Sequence, residues 1–426
     1  MLSSGEQGVA QGVNARRHAL FLLFCAYVIN YIDRQIVTIL QEPIKADLGL
    51  SDTQLGLMTG LSFALFYATM GLPMARLADR YPRRSVIAGA TLLWSGMTMA
   101  CAAAGNFVTL LLCRMGVGVG EAGLSPPAHS LISDYYPPHQ RAGALGIYSS
   151  GIQVGVMLGF LLGGTINHYF GWRAAFLAVG LPGILLSLLI RFTMREPPRI
   201  DAPATGEGEG EGMLAAMGQL WRVRPFRLIA LACGFHALVL YGQGHWAPPY
   251  LGRVHGMELR DIAFWLALLS IGPGALGLWL AGLLADRLQR ATANAGLIVA
   301  MGSIVLLLPL EAAFALAPDG RTALMISAAT HFLGGAYLAP VIAHCHAMFG
   351  SHQRALASAV LLLSLNLIGL GVGPLLVGGL SDTFAASQGG RALPLAMLAI
   401  LPSQLLALAL FWLSSRPSSP AREAFG

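Results

Sequence analysis

Stretches of about 20 apolar residues, each long enough to cross the roughly 30 Å hydrocarbon core of a bilayer, recur along almost the whole of this chain. In the first half they cover 18–41, 53–75, 85–104, 107–130, 141–166 and 172–193. In the second half they cover 226–250, 260–283, 294–316, 322–347, 355–379 and 391–414. Only 11% of the residues are charged and 55% are hydrophobic, where a soluble domain carries about 25% charged residues. The reading is an all-α integral membrane protein of twelve spans. The five cysteines, Cys25, Cys101, Cys113, Cys233 and Cys345, each lie in an apolar run. An odd number so placed gives buried free thiols, with neither a disulfide framework nor zinc spacing.

In such a chain the net charge of +6 reports topology before partners, and it does not suggest nucleic acid. Eighteen arginines fall in the segments on the side of the N-terminus, against Lys45 and five arginines on the other side, while Arg34 and Arg114 fall within spans. This asymmetry places both termini and the central linker in the cytoplasm, and short loops with no Asn-x-Ser/Thr acceptor favour a multi-pass protein of the cell inner membrane. The first fifteen residues hold one charge, Glu6, and no small-residue cleavage site follows the first apolar run, so that run is expected to remain as a span.

The halves repeat each other. Leu77-Ala78-Asp79-Arg80 follows span 2, and Leu284-Ala285-Asp286-Arg287 follows span 8. Between the halves stand Arg195-Glu196-Pro197-Pro198 and a Gly/Glu alternation from Gly206 to Gly212, a composition that buries no core and reads as a flexible linker. Met213, Leu214, Met217, Leu220 and Trp221 then recur at helical spacing, giving a short helix on the membrane surface or packed on the bundle. The expected organisation is a six-helix bundle over 1–194, a linker over 195–221 and a second six-helix bundle over 222–426, a plan shared by secondary transporters.

Charges at membrane depth mark function by default, because each costs several kcal/mol unless paired or wetted. Arg114 and Glu121 lie on span 4 among Gly116, Gly118 and Gly120, and their seven-residue spacing puts them on one helix face. Asp33 on span 1 falls at a depth similar to that of Arg114, which predicts that the two face each other and form a switchable pair or a static one. Glu121, deeper and among glycines, suits a group that loads and releases a proton. Arg34 follows Asp33 at about 100° around the helix, so it meets an anionic headgroup or snorkels outward. Asp79, Arg83, Arg84, Asp134, Arg141 and Asp286 lie in or beside the loops as a cytoplasmic gate of exposed pairs, or as topology determinants alone. Gly151, Gly155, Gly159 and Gly163 repeat every four residues on span 5, which allows close helix contact, sliding or static. The second half offers His236, Tyr241, Gln243, His245 and Trp246 on span 7, and His331, Tyr337, His344 and His346 on span 10, with Glu311 near the outer end of span 9. His344 and His346 leave a helix on different faces and make no metal site.

The duplicated Leu-Ala-Asp-Arg-x-x-Arg element resembles the signature of the major facilitator superfamily over the whole chain. Ala75 stands where the first loop motif usually has glycine, and Gly282 keeps it in the second. Within the superfamily, Asn30-Tyr31-Ile32-Asp33-Arg34, the run from Arg114 to Ala122, and Ser133-Asp134-Tyr135-Tyr136-Pro137 with Arg141 resemble the Spinster family of lipid transporters. The resemblance implies Asp33 and Glu121 as proton-coupling groups. It also favours the cavity for Arg34, where Tyr31 and Arg114 are expected to meet the substrate; the residue pattern of the second half, Tyr241, His245 and Tyr337 among it, gives an apolar, aromatic wall opposite. The coupling ion is then the proton with no other cofactor, and the substrate an amphipathic lipid such as a lysophospholipid or a sphingosine phosphate. The chain is expected to act as a monomer in the bilayer. A carrier of small organic anions or drugs is the second expectation. An enzyme or receptor is the third, against which stands the lack of any nucleophile–base constellation, metal spacing or phosphate loop.

Overall fold

The computed structural model of the protein describes residues 4–198 and 209–416. The expected stretch from Gly206 to Gly208, together with Arg199 and Arg422, lies outside them. Among the described residues the regular structure is all helical. Ten helices carry the argument. They are α1 (Asn14–Ile39), α2 (Asp52–Arg80), α3 (Arg83–Cys101), α4 (Phe107–Tyr135), α5 (Pro138–Thr193), α6 (Arg224–His255), α7 (Leu259–Gln289), α8 (Ala295–Ala315), α9 (Gly320–Met348) and α10 (Leu356–Ser415).

All but α3 are long and apolar enough to cross a membrane, which makes nine among the described residues. Two are far longer than one crossing needs. The 56 residues of α5 would extend about 84 Å at 1.5 Å each. Its helix breaks at Gly171, whose φ of 82° and ψ of 167° no helix contains; an L side chain rarely adopts that φ. Helix α10 breaks at Gly389, where φ is 55° and ψ is −125° and a short turn over Gly389–Arg391 follows. It is interrupted again at Ile400–Leu401, just before Pro402, which lacks the N–H that would continue the ladder.

The chain divides into two compact units. The first holds Met1–Leu50, Ser62–Ala204 and Glu258–Leu268; the second holds Ser51–Leu61, Thr205–Met257 and Leu269–Gly426. In the first unit α1 packs along α5, and the glycine repeat explains how closely. A Cβ on Gly155 would stand 2.5 Å from the Val28 carbonyl oxygen and 2.6 Å from Tyr31 Cβ. One on Gly159 would stand 2.7 Å from Gln35 Cβ, and one on Gly163 2.5 Å from Ile39 Cγ2. The stripe therefore lies against the face of α1 that carries Val28, Tyr31, Gln35 and Ile39. Gly155→Ala must move a backbone carbonyl, so it is expected to lower stability by ~1–3 kcal/mol, read as earlier thermal unfolding of the purified protein. An unchanged midpoint would show that the helices have room to part.

The second unit buries an apolar core around Phe226, Cys233, Ala237, Leu297, Val341, Leu361 and Phe411. A further helix, Glu209–Arg222, contributes to it: Leu220 is 2% exposed within that core and Met217 packs against it, while Trp221 stays exposed. Helix α2 starts in this unit under three caps. Ser51 Oγ accepts from the Gln54 N–H at 3.1 Å, Gln54 Oε1 accepts from the Ser51 N–H at 2.9 Å, and the Asp382 carboxylate accepts from the N–H groups of Asp52 and Thr53. Arg253 closes on Asp52 through both guanidinium nitrogens, at 2.7 and 2.8 Å, and Ser381 donates to the same carboxylate. Nothing in the sequence pattern marks Asp52, Arg253 and Asp382 as partners.

Candidate functional site

Within the first unit four ionisable side chains from two helices meet in the interior. Helix α1 supplies Asp33 and Arg34, and α4 supplies Arg114 and Glu121. The helical start of α4 is set by Asn106, whose Oδ1 accepts from the Thr109 N–H at 3.0 Å. Its regular run ends at Glu121, ahead of a turn before Ser125. The three glycines between the two charges let α4 approach its neighbours: a Cβ on Gly120 would stand 2.7 Å from the Trp94 backbone nitrogen, and one on Gly118 3.1 Å from the Phe63 carbonyl oxygen. Asp33, Arg114 and Glu121 are 0%, 2% and 1% exposed.

The pairing differs from the one the depths predict. Arg34 Nε donates to Glu121 Oε2 at 2.6 Å, and Arg114 donates from Nη1 to the backbone carbonyl of Asp33 at 3.3 Å. Both carboxylate oxygens of Asp33 are buried without a hydrogen bond of regular geometry, close to the Thr98 hydroxyl and in the field of the Arg114 guanidinium. The expected Asp33–Arg114 side-chain pair is therefore replaced by Arg34–Glu121. The angular argument failed because it tracked Cβ direction. A guanidinium at the end of a long flexible stem swings back to the inner face that the shorter Asp33 side chain already occupies.

An aromatic enclosure holds the Arg34 guanidinium in place. Its carbon lies 4.9 Å from the ring centre of Tyr31, 4.9 Å from that of Phe63 and 4.7 Å from that of Tyr67. Ring faces attract a cation and do so more strongly when water is excluded. Tyr27 continues the wall, edge-to-face with Tyr31 and stacked on Tyr148 at 4.3 Å. Phe63, Tyr67 and Tyr148 were missed from the sequence, although the i, i+4 spacing of Phe63 and Tyr67 on α2 was a signal for a shared face.

A second charged group ties the loop ends together. Arg83 is 3% exposed. It donates from Nη1 to Ser130 Oγ at 2.8 Å and to the Asp134 carboxylate, and from Nε to Glu196 Oε1 at 2.9 Å. The Glu196 carboxylate also accepts from the N–H groups of Arg83 and Arg84, so it caps α3 after Pro82. Arg84 Nη1 reaches the Met194 carbonyl, and the Tyr135 hydroxyl donates to the Arg195 carbonyl. The segment 195–197, read from its composition as flexible linker, is thus bound to α3 and α4 by its own carboxylate and carbonyls. Arg141 Nε donates to the Tyr136 carbonyl at 3.0 Å. Asp79 and Asp286, the acids of the duplicated loop element, are both exposed.

In the second unit the expected substrate contacts separate. Tyr241 and His245 are half-buried, with ring centres 6.1 Å apart. Tyr337 is 4% exposed, belongs to the apolar core and meets the His236 ring. Its ring therefore lies in the core beside His236, whereas the sequence pattern puts it in the aromatic wall of the substrate cavity. His344 and His346 bond separately, to the Ala293 carbonyl and to Ser358.

Comparison with known proteins places the chain. The description "Major Facilitator Superfamily" matches residues 23–317. An "MFS-type efflux pump" of Mycolicibacterium smegmatis is 33% identical over 421 residues, covering 97% of each chain. The "Hexuronate transporter" of Bacillus subtilis is 28% identical over 285 residues, 66% of each. Among solved structures, a bacterial homologue of the human lysosomal transporter Spinster, in an inward-facing and unoccupied conformation, superposes with a TM-score of 0.84 at 32% identity, covering 96% of this chain and 99% of that one. The chain belongs to the Major Facilitator Superfamily and is a membrane transporter related to Spinster.

Proposed function

We propose that the protein is a proton-coupled secondary active transporter of an amphipathic, lipid-like anion, a lysophospholipid or a sphingosine-phosphate-like molecule, working by alternating access in the cell inner membrane. The observation that carries this reading is the Asp33 carboxylate, buried without a regular hydrogen bond, beside the caged Arg34–Glu121 pair. A buried charge without a bonded partner costs several kcal/mol, and a bound proton removes that cost. An anionic headgroup entering the aromatic enclosure competes with Glu121 for Arg34. The displaced Glu121 then lacks a cation, and a proton taken up there restores neutrality. Substrate and proton are in this way bound together. Arg114, now on the Asp33 carbonyl, can turn to the Asp33 carboxylate when that group ionises. Tyr31 and its ring neighbours offer the apolar part of the substrate a surface.

The same reading takes twelve spans with cytoplasmic termini. The nine apolar helices become ten with α3, and α5 and α10 each supply two crossings, which gives twelve. Arg83, Asp134, Glu196 and Arg141 then form a cytoplasmic clasp that rearranges during the cycle. The second reading, a proton-coupled carrier of small organic anions or drugs, draws on the efflux pump and the hexuronate transporter among the relatives. Uptake by proteoliposomes across a panel of lysophospholipids, sphingosine phosphate and soluble organic acids, with and without an imposed pH gradient, separates the two. Saturable lysolipid uptake that rises with the gradient is expected. Saturable uptake of an organic acid with no lysolipid uptake would replace the first reading with the second.

A further inference from the structure

Three helices of the second unit bring together another buried polar group, apart from the Asp33 cluster. Helix α6 supplies His236, α8 supplies Glu311, and α10 supplies Gln404 just past its interruption at Leu401. Their exposures are 0%, 2% and 0%. His236 Nδ1 lies 2.6 Å from Gln404 Oε1, and Gln404 Nε2 donates to the two Glu311 carboxylate oxygens at 3.2 and 3.0 Å. An amide oxygen only accepts, so Nδ1 carries its hydrogen. The other ring nitrogen, Nε2, is buried with no partner. The imidazole meets the Tyr337 ring edge-to-face, with centres 4.4 Å apart.

A purely structural tie between three helices would satisfy all of its polar atoms, since each orphan costs free energy. This group leaves two features open. Among the described residues Glu311 has no arginine or lysine partner; its only hydrogen-bond donor is a neutral amide. His236 Nε2 offers a lone pair that nothing fills. The amide between them points its oxygen at the imidazole and its N–H groups at the carboxyl, the orientation that favours a positive ring and a negative carboxylate. One proton therefore has two homes. It sits on Glu311 with His236 neutral, or it leaves the Glu311 oxygen and binds Nε2, giving carboxylate and imidazolium. Both arrangements have zero net charge, so neither leaves an uncompensated charge in the interior. The titratable groups on the helices packed here are Tyr241 and Tyr250 on the helix of His236, the Cys233 and Cys345 thiols of the apolar core, and His331 and Tyr337 on α9, of which Tyr337 meets the imidazole. His331 Nδ1 is engaged by Ser327, and the Tyr250 hydroxyl donates to the Phe314 carbonyl. None of these groups supplies a fixed counter-charge.

We propose that Glu311, Gln404 and His236 form a second proton-binding site of the transporter, located in the other unit from Asp33 and Glu121. Its use in transport rests on the proton-coupled reading, but its titration does not. Infrared pH-difference spectra of the full-length protein in lipid nanodiscs, with no substrate added, test it. The expected result is a carboxylic-acid carbonyl band that titrates in wild type, Asp33→Asn and Glu121→Gln and is absent in Glu311→Gln. In His236→Gln the titration midpoint of that band moves by at least about one pH unit, about 1.4 kcal/mol. A Glu311→Gln spectrum identical to wild type overturns the proposal, as does a midpoint unmoved by His236→Gln. If Glu311→Gln does not fold, Glu311→Asp serves: a displaced band supports the site, and an unaltered one overturns it. Spectra in which neither Asp33→Asn nor Glu121→Gln removes a band, with the Glu311 band behaving as expected, would support this site and count against the first one alone.

Discussion

Arg34→Ala is expected to abolish transport and to lower stability by ~3–5 kcal/mol, the range for stranding one partner of a buried ion pair. The reason is local. Arg34 is the only cation bonded to the Glu121 carboxylate among the described residues, and the Glu121 side chain is 0% exposed. Removing the guanidinium leaves that charge without compensation and empties the ring enclosure of Tyr31, Phe63 and Tyr67. The double variant Arg34→Ala/Glu121→Gln removes the stranded charge too, so it is expected to regain part of the stability, with a coupling of ~0.5–3 kcal/mol. It should not regain transport, because the headgroup cation is gone. Thermal unfolding of the purified variants measures the first effect and proteoliposome uptake the second. A single variant as stable as wild type would mean that Glu121 is not charged beside Arg34.

Asp33→Asn is expected to behave in the opposite way. Its carboxylate oxygens have no hydrogen bond of regular geometry, and Arg114 holds the backbone carbonyl, which the substitution leaves in place. An amide of the same shape carries no charge, so stability should be unchanged or slightly higher. Accumulation driven by a pH gradient should nevertheless fall to the level of protein-free liposomes, since a group that cannot bind and release a proton cannot couple its flow to substrate. A loss of stability as large as that of Arg34→Ala would instead assign Asp33 a structural role.

The parts of this architecture that were legible in the sequence are those written in local patterns. Apolar runs of bilayer length appear as helices, and the glycines four residues apart on α5 lie against α1 from Val28 to Ile39. The rarity of charge within spans singled out Asp33, Arg114 and Glu121, and all are interior. Partner choice was not legible. Helix geometry gives the direction in which a side chain leaves the backbone, but Arg34 has the reach to bond Glu121 from a position that looked wrong. Glu196 sat in a Pro-rich stretch with the composition of a linker, yet its carboxylate caps α3, a contact between residues 113 apart in sequence. His236, Gln404 and Glu311 are separated by 168 and 93 residues, so no local spacing relates them.

The central claim is that the buried cluster of Asp33, Arg34, Arg114 and Glu121 binds proton and substrate together. It is tested most directly by following internal pH with a trapped dye in proteoliposomes when lysophospholipid is added outside, with no pH gradient imposed. Wild type is expected to move protons in step with lysolipid, and Asp33→Asn, reconstituted to the same density, to move none. Equal proton movement in the two proteins, or lysolipid uptake by wild type with no proton movement, would contradict the account.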